Sequence, residues 1–154
     1  MNLRDDNAGA KGEPQALAEA SAKAMFARDA ASHGLGIAIV EMRPGYARLT
    51  MTVSAAMLNG HRTCHGGFIF ALADSAFAFS CNSRNRNTVA AACQIDYLAP
   101  AFAGDVLEAE AVEQALKGRT GVYDVSVRNQ SCALVALFRG KSHRVEGEVL
   151  ERAK

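Results

Sequence analysis

The sequence predicts an α+β fold in which an antiparallel sheet is laid against one long apolar helix. Three observations predict it. Residues 66–82, GGFIFALADSAFAFSCN, hold good helix formers, few β-branched residues and a single charge, the pattern of a buried helix. From Asn87 onward four β-like runs follow one another, separated by short turn signals. One of them, 121–129, steps through Val122, Tyr123, Asp124, Val125, Ser126, Val127 and Arg128, as a strand with a packed face and a polar face must.

Taken in order, residues 1–14 are polar, with glycines and a proline, and read as a mobile tail ahead of a single domain over 15–150. Gln15 to about Ser32 places Leu17, Ala20, Ala24 and Met25 at helical spacing, so a helix is expected there, ending before His33-Gly34. GIAIVEM and YARLTMTV then give two strands, reversed at Arg43-Pro44-Gly45. The apolar helix runs from Gly66 to about Asn82. After it come the strands TVAAACQIDYLA, DVLEAEAVEQAL, TGVYDVSVRN and CALVALFRGKSHRV. Lys117-Gly118 and Asn129-Gln130-Ser131 are short enough for antiparallel hairpins.

The length of 154 residues suits one domain and one core. Apolar residues make up 49% and charged residues 21%, with a net charge of +1, so neither disorder nor a general pull toward nucleic acid or anionic membrane is expected. Interleaved basic and aromatic residues are also missing. Cys64, Cys81, Cys93 and Cys132 form no CxxC pair and read as reduced core thiols. The first 14 residues lack the apolar run of a signal peptide, and no window approaches a membrane span, so a cytoplasmic location is expected. His61, Cys64 and His65 match no standard zinc spacing, and no metal or separate cofactor is expected.

Asp74 stands alone as a charge in the apolar helix. At 100° per residue, Phe70 and Phe77 fall about 40° to 60° to one side of it and Ala71 and Ala78 at similar angles on the other. An unpaired carboxylate there costs several kcal/mol, roughly, to bury, so it is structural or functional. A helix apolar all round needs cover on every side, which a chain this short cannot supply, and at least a homodimer is expected. Gly66 and Gly67 open the helix, where backbone N–H groups lack intrahelical partners and the dipole favours negative charge. With no side chain in the way, a substrate carbonyl can approach those amides as an oxyanion hole.

NGHRTCHGGFIFALADSAFAF, DYLAPAFAGDVLEAEA, GRTGVYDVSV and ALFRGKSHRV together resemble the hotdog-fold acyl-CoA thioesterases, in their phenylacetate-pathway branch. The resemblance spans roughly Ser32 to Val145. It implies a central helix wrapped by the sheet, subunits paired as dimers or tetramers, and active sites shared between subunits. It also implies hydrolysis of an acyl-CoA such as phenylacetyl- or hydroxyphenylacetyl-CoA, with CoA part of the substrate. By motif position Asp74 matches the catalytic carboxylate, Gly66 the amide donor to the thioester oxygen, and His65 and Asn59 the residues that orient the site. Some members add a serine on the strand after the helix to hold water. Here that strand has Ala90, Ala91 and Ala92, with Thr88 the nearest hydroxyl.

Gly67 and Phe70 are the candidates beside the acyl group. Arg139, Lys141, His143 and Arg144 are those for the CoA phosphates, which suit Arg and Lys clusters. Two other readings stand beside hydrolysis. One is an acyl-CoA dehydratase or hydratase on the same fold, with His65 as base. The other is a non-catalytic acyl-CoA binding module.

Overall fold

A computed structural model describes residues 7–150, with side chains from residue 12 onward. The first helix, α1 (Asn7–Ala27), begins inside the stretch expected to be a tail and carries Pro14 within it. Gly9 and Gly12 are poor helix formers and the missing Pro14 N–H costs one helical hydrogen bond, so local propensity does not account for this early start. Residues 1–6 of the expected tail lie outside the described residues. The single helix expected up to Ser32 is two helices. The Asp29 carboxylate caps α2 (Ala30–Gly34), accepting from the Ser32 N–H at 2.9 Å and the Ser32 hydroxyl at 2.5 Å. A short side chain that bonds a backbone N–H three residues ahead starts a new helix there and so interrupts the first.

Pro44 presets its backbone angle and Gly45 adopts φ +69°, so β1 (Ala38–Arg43) folds straight back on β2 (Tyr46–Thr52). A loop with one 3-10 turn at Ala55–Met57 leads to α3 (Gly66–Cys81). The last four strands follow as expected: β3 (Thr88–Tyr97), β4 (Val106–Lys117), β5 (Thr120–Arg128) and β6 (Leu134–Arg144). All pairs are antiparallel and form one sheet in the order β1-β2-β4-β5-β6-β3. Register shifts interrupt the β1–β2, β3–β6, β4–β5 and β5–β6 ladders. Such bulges bend and twist strands, which lets the sheet curve around α3.

The core lies between α3 and the concave face. Leu72, Ala73, Ala76, Phe77 and Phe79 of α3 meet Leu49, Leu107, Val125, Val127 and Phe138 of the sheet, all buried. α1 packs on β1 and hooks it through Gln15 Nε2, which donates to the Met42 carbonyl at 2.7 Å. Where α3 ends, Arg84 makes a bidentate pair with Glu113 at 2.6 and 3.1 Å. The buried Tyr123 hydroxyl donates to the same carboxylate at 2.8 Å. This fastens the chain beyond α3 to β4 and β5.

Among the described residues, two surfaces around the helix and the sheet edge stay uncovered. On α3, Gly67 is exposed, and Ala71, Asp74, Ser75 and Ala78 are half-buried along one stripe. At the sheet's end, β3 pairs only with β6 and is mostly exposed. Its run TVAAACQI carries no charge, although edge strands are normally blunted by charge or proline.

Candidate active site

The turn entering α3 is built by Asn59. Its Oδ1 accepts from the His61 N–H at 2.9 Å and the Thr63 N–H at 3.3 Å, and its own N–H donates to the Thr63 carbonyl at 2.9 Å. Further bonds tie the segment down: Cys64 N–H to the Ala101 carbonyl at 2.8 Å and His65 N–H to the Met57 carbonyl at 2.8 Å. Asn59 therefore shapes the loop that leads into the helix opening.

His65 is the N-cap of α3, its Nδ1 accepting from the Gly67 N–H at 2.9 Å. A ring nitrogen that accepts carries no proton, so a neutral His65 holds its proton on Nε2. Of the two opening amides, Gly67 is thus occupied, while the Gly66 N–H has no acceptor among the described residues. Tyr97 closes over this point. Its hydroxyl donates to the Gly66 carbonyl at 2.8 Å, and a Cβ on Gly66 would sit 2.9 Å from Tyr97 Cζ. Position 66 has room for a backbone and nothing more. Beside it opens a cavity of about 420 Å³ lined by Thr63, Cys64, Ile69, Tyr97, Leu98 and Pro100, among others.

Asp74 is half-buried on the uncovered stripe of α3. Burial pushes its carboxyl above the usual carboxylate range, and a hydrogen bond from Cys93 offsets part of that. The Cys93 Sγ lies 3.8 Å from Asp74 Oδ1. Sequence reasoning placed Cys93 in the core without linking it to Asp74. The signal was the alternation that puts Cys93 and Ile95 on one face of β3. Asp74 and Gly66 are eight residues apart on one straight helix, about 12 Å along its axis, so a single chain does not bring them to one carbonyl.

Phe70 packs edge-on against Phe138, with centroids 5.4 Å apart, and Phe77 is wholly buried against Tyr123 and Phe138. In β6 the side chains alternate: Phe138, Gly140 and Ser142 are buried beneath α3, while Arg139, Lys141 and His143 are exposed on the outer face. Arg139 is already neutralised there by Asp124, at 2.6 and 2.7 Å. Arg144 is half-buried. Within one chain none of these cations stands beside Asp74. Among the described residues no cluster of His, Cys, Asp and Glu could hold a metal ion, and no helix is long and apolar enough to cross a membrane.

A family model described as the thioesterase superfamily matches residues 61–136. Acyl-coenzyme A thioesterase PaaI of Escherichia coli K12 is 53% identical over 133 residues, which is 86% of this chain and 95% of that protein. The structure of E. coli PaaI, from the phenylacetic acid degradation operon, superposes with a TM-score of 0.86 at 52% identity, covering 87% of this chain and 97% of that one. A Streptococcus mutans UA159 protein solved with acetyl CoA reaches a TM-score of 0.70 at 27% identity, covering 73% of this chain and 90% of that one.

Proposed function

This chain belongs to the thioesterase superfamily, and on that premise we propose that it hydrolyses acyl-CoA thioesters with an aryl-acetyl group, phenylacetyl-CoA or a hydroxylated analogue, to the free acid and CoA. The carrying observation is the half-buried Asp74 on an uncovered helix face, in a chain whose Gly66 amide is unengaged. The E. coli relative from the phenylacetic acid degradation operon supports the acyl group, and the neighbour solved with acetyl CoA supports the CoA part.

The working unit is a homodimer, or a tetramer made of two such dimers. The uncharged edge of β3 supports pairing with a second β3, and the small residues Gly67, Ala71 and Ala78 support a close approach of two α3 stripes. Antiparallel helices would set Asp74 of one copy opposite Gly66 of the other, which removes the 12 Å separation. The Gly66 N–H then polarises the thioester oxygen and stabilises the oxyanion. The Asp74 carboxylate either takes a proton from the attacking water or attacks the carbonyl itself, giving a mixed anhydride that water opens. In both routes the CoA sulfur leaves and is protonated. Single turnover in isotopically labelled water separates them, because only the anhydride route can leave label in Asp74. Lys141 and Arg144 supply cations and His143 a ring N–H for the CoA phosphates, and Arg139 does so only by giving up Asp124.

The hydratase reading loses support because His65 Nδ1 is spent on the Gly67 N–H and its Nε2 holds the proton. The test is thiol release from a panel of aryl-acetyl, benzoyl and fatty CoA esters. The aryl-acetyl esters are expected to give the highest kcat/KM. Double-bond loss from an enoyl-CoA without thiol release would replace hydrolysis with hydration.

A further inference from the structure

We propose that Cys93 is a positioning residue, its thiol proton holding the Asp74 carboxylate in the orientation that hydrolysis uses. The inference rests on Asp74 being the catalytic carboxylate. Among the described residues Cys93 is the one hydrogen-bond donor to Asp74, Sγ to Oδ1 at 3.8 Å. Two features of the fold put it there. Ala90 pairs with Ser142, but the register then shifts, so that Ala92 pairs with the outward Lys141 and Cys93 with the inward Gly140. Without that extra residue an alanine would face the helix instead. Gly140 in turn has no Cβ, and the Phe77 ring occupies the space one would need. That contact draws α3 onto β6 one turn beyond Asp74 and beside Cys93.

The thiol is a donor here and not a nucleophile. Burial first, then the charge of Asp74 and its hydrogen bond, raise the Cys93 thiol above its ordinary value, so it stays protonated at neutral pH. The other titratable group sensing Asp74 is Cys81, further along α3 itself, pushed up to about 12 mainly by burial. The inward residues of β6 are Ala136, Phe138, Gly140 and Ser142, none of them charged. Removing the Cys93 proton donor therefore disfavours the carboxylate form of Asp74 and frees its rotamer.

The test compares the full chain with Cys93→Ala, Cys93→Ser and Asp74→Asn, measuring kcat, KM and the pH dependence of kcat/KM. Cys93→Ala is expected to lower kcat about tenfold with KM little changed, and to move the acid limb of kcat/KM to higher pH. Cys93→Ser keeps a donor and should recover most of both. Alanine with a wild-type kcat and an unmoved limb, in an enzyme that Asp74→Asn inactivates, overturns the role of Cys93 alone. A serine variant as impaired as alanine, or an alanine variant too unstable to assay beside such a serine variant, also overturns it, since packing would then be what the position supplies. An active Asp74→Asn enzyme overturns the reading of Asp74, and this inference with it.

Discussion

The ring of Phe77 lies against Gly140 so closely that a Cβ on that glycine would stand 2.7 Å from Phe77 Cδ2. Phe77 is wholly buried and cannot swing aside. Gly140→Ala is therefore expected to lower stability by about 1–3 kcal/mol through overpacking. It should also lower kcat, because the displaced ring is one turn from Asp74. Thermal melts and initial rates check both, and adding Phe77→Leu should restore the melting temperature.

Gly66→Ala meets a different neighbour. Tyr97 is 50% exposed, so its ring can rotate into solvent and stability should change by less than about 1 kcal/mol, alanine being the better helix former. Turning the ring away takes its hydroxyl off the Gly66 carbonyl and lets the opening amide shift, so kcat should fall about a hundredfold, the usual effect of losing one oxyanion donor. Equal losses in melting temperature and kcat would count against this.

Asp74→Asn should abolish turnover and yet make the protein harder to unfold at neutral pH. The folded state holds the Asp74 carboxyl above its unfolded value, so the charged form is penalised wherever the pH exceeds the folded value. That penalty fades as the pH falls through it. The stability gap between variant and wild type should thus be largest near pH 7 and narrow in acid, read from denaturant midpoints. In the wild type, kcat/KM should fall on acidification at a higher pH than an exposed aspartate would give.

Glu113 carries the opposite sign. Burial works to raise its carboxyl, but Arg84 and the Tyr123 hydroxyl outweigh it and hold the group below the ordinary glutamate range. Its contribution to stability is complete above the unfolded value and is lost as the pH falls through the folded one. Glu113→Ala orphans the buried Tyr123 hydroxyl and Arg84 together and should cost about 2–4 kcal/mol. Tyr123→Phe leaves the ion pair intact and should cost about 1 kcal/mol. Urea titrations at pH 7 and pH 4 distinguish the two.

Much of this architecture is local enough to be legible in the sequence. The helix Gly66–Cys81 and the strands β3 to β6 follow from residue type and period, because each buries one face and each hairpin turn names itself. The start of α1 and the break at Asp29 were not legible. Gly9, Gly12 and Pro14 read as helix breakers although α1 runs through them, and Asp29 divides the two helices through a bond to the backbone N–H of Ser32. The sequence by itself also determined that Asp74 is a lone charge on an apolar helix and that glycines open that helix. Tertiary structure decided the rest: that His65 takes the Gly67 amide and leaves that of Gly66, that Tyr97 seals the glycine, that Arg139 faces outward onto Asp124, and that Cys93 meets Asp74. Apart from the His65 cap, a bond between residues two apart, each of these joins segments distant in sequence or depends on where a bulge resets the phase of a strand. Residue type and spacing encode local preference, whereas contacts of that kind exist only after the sheet has curved around the helix.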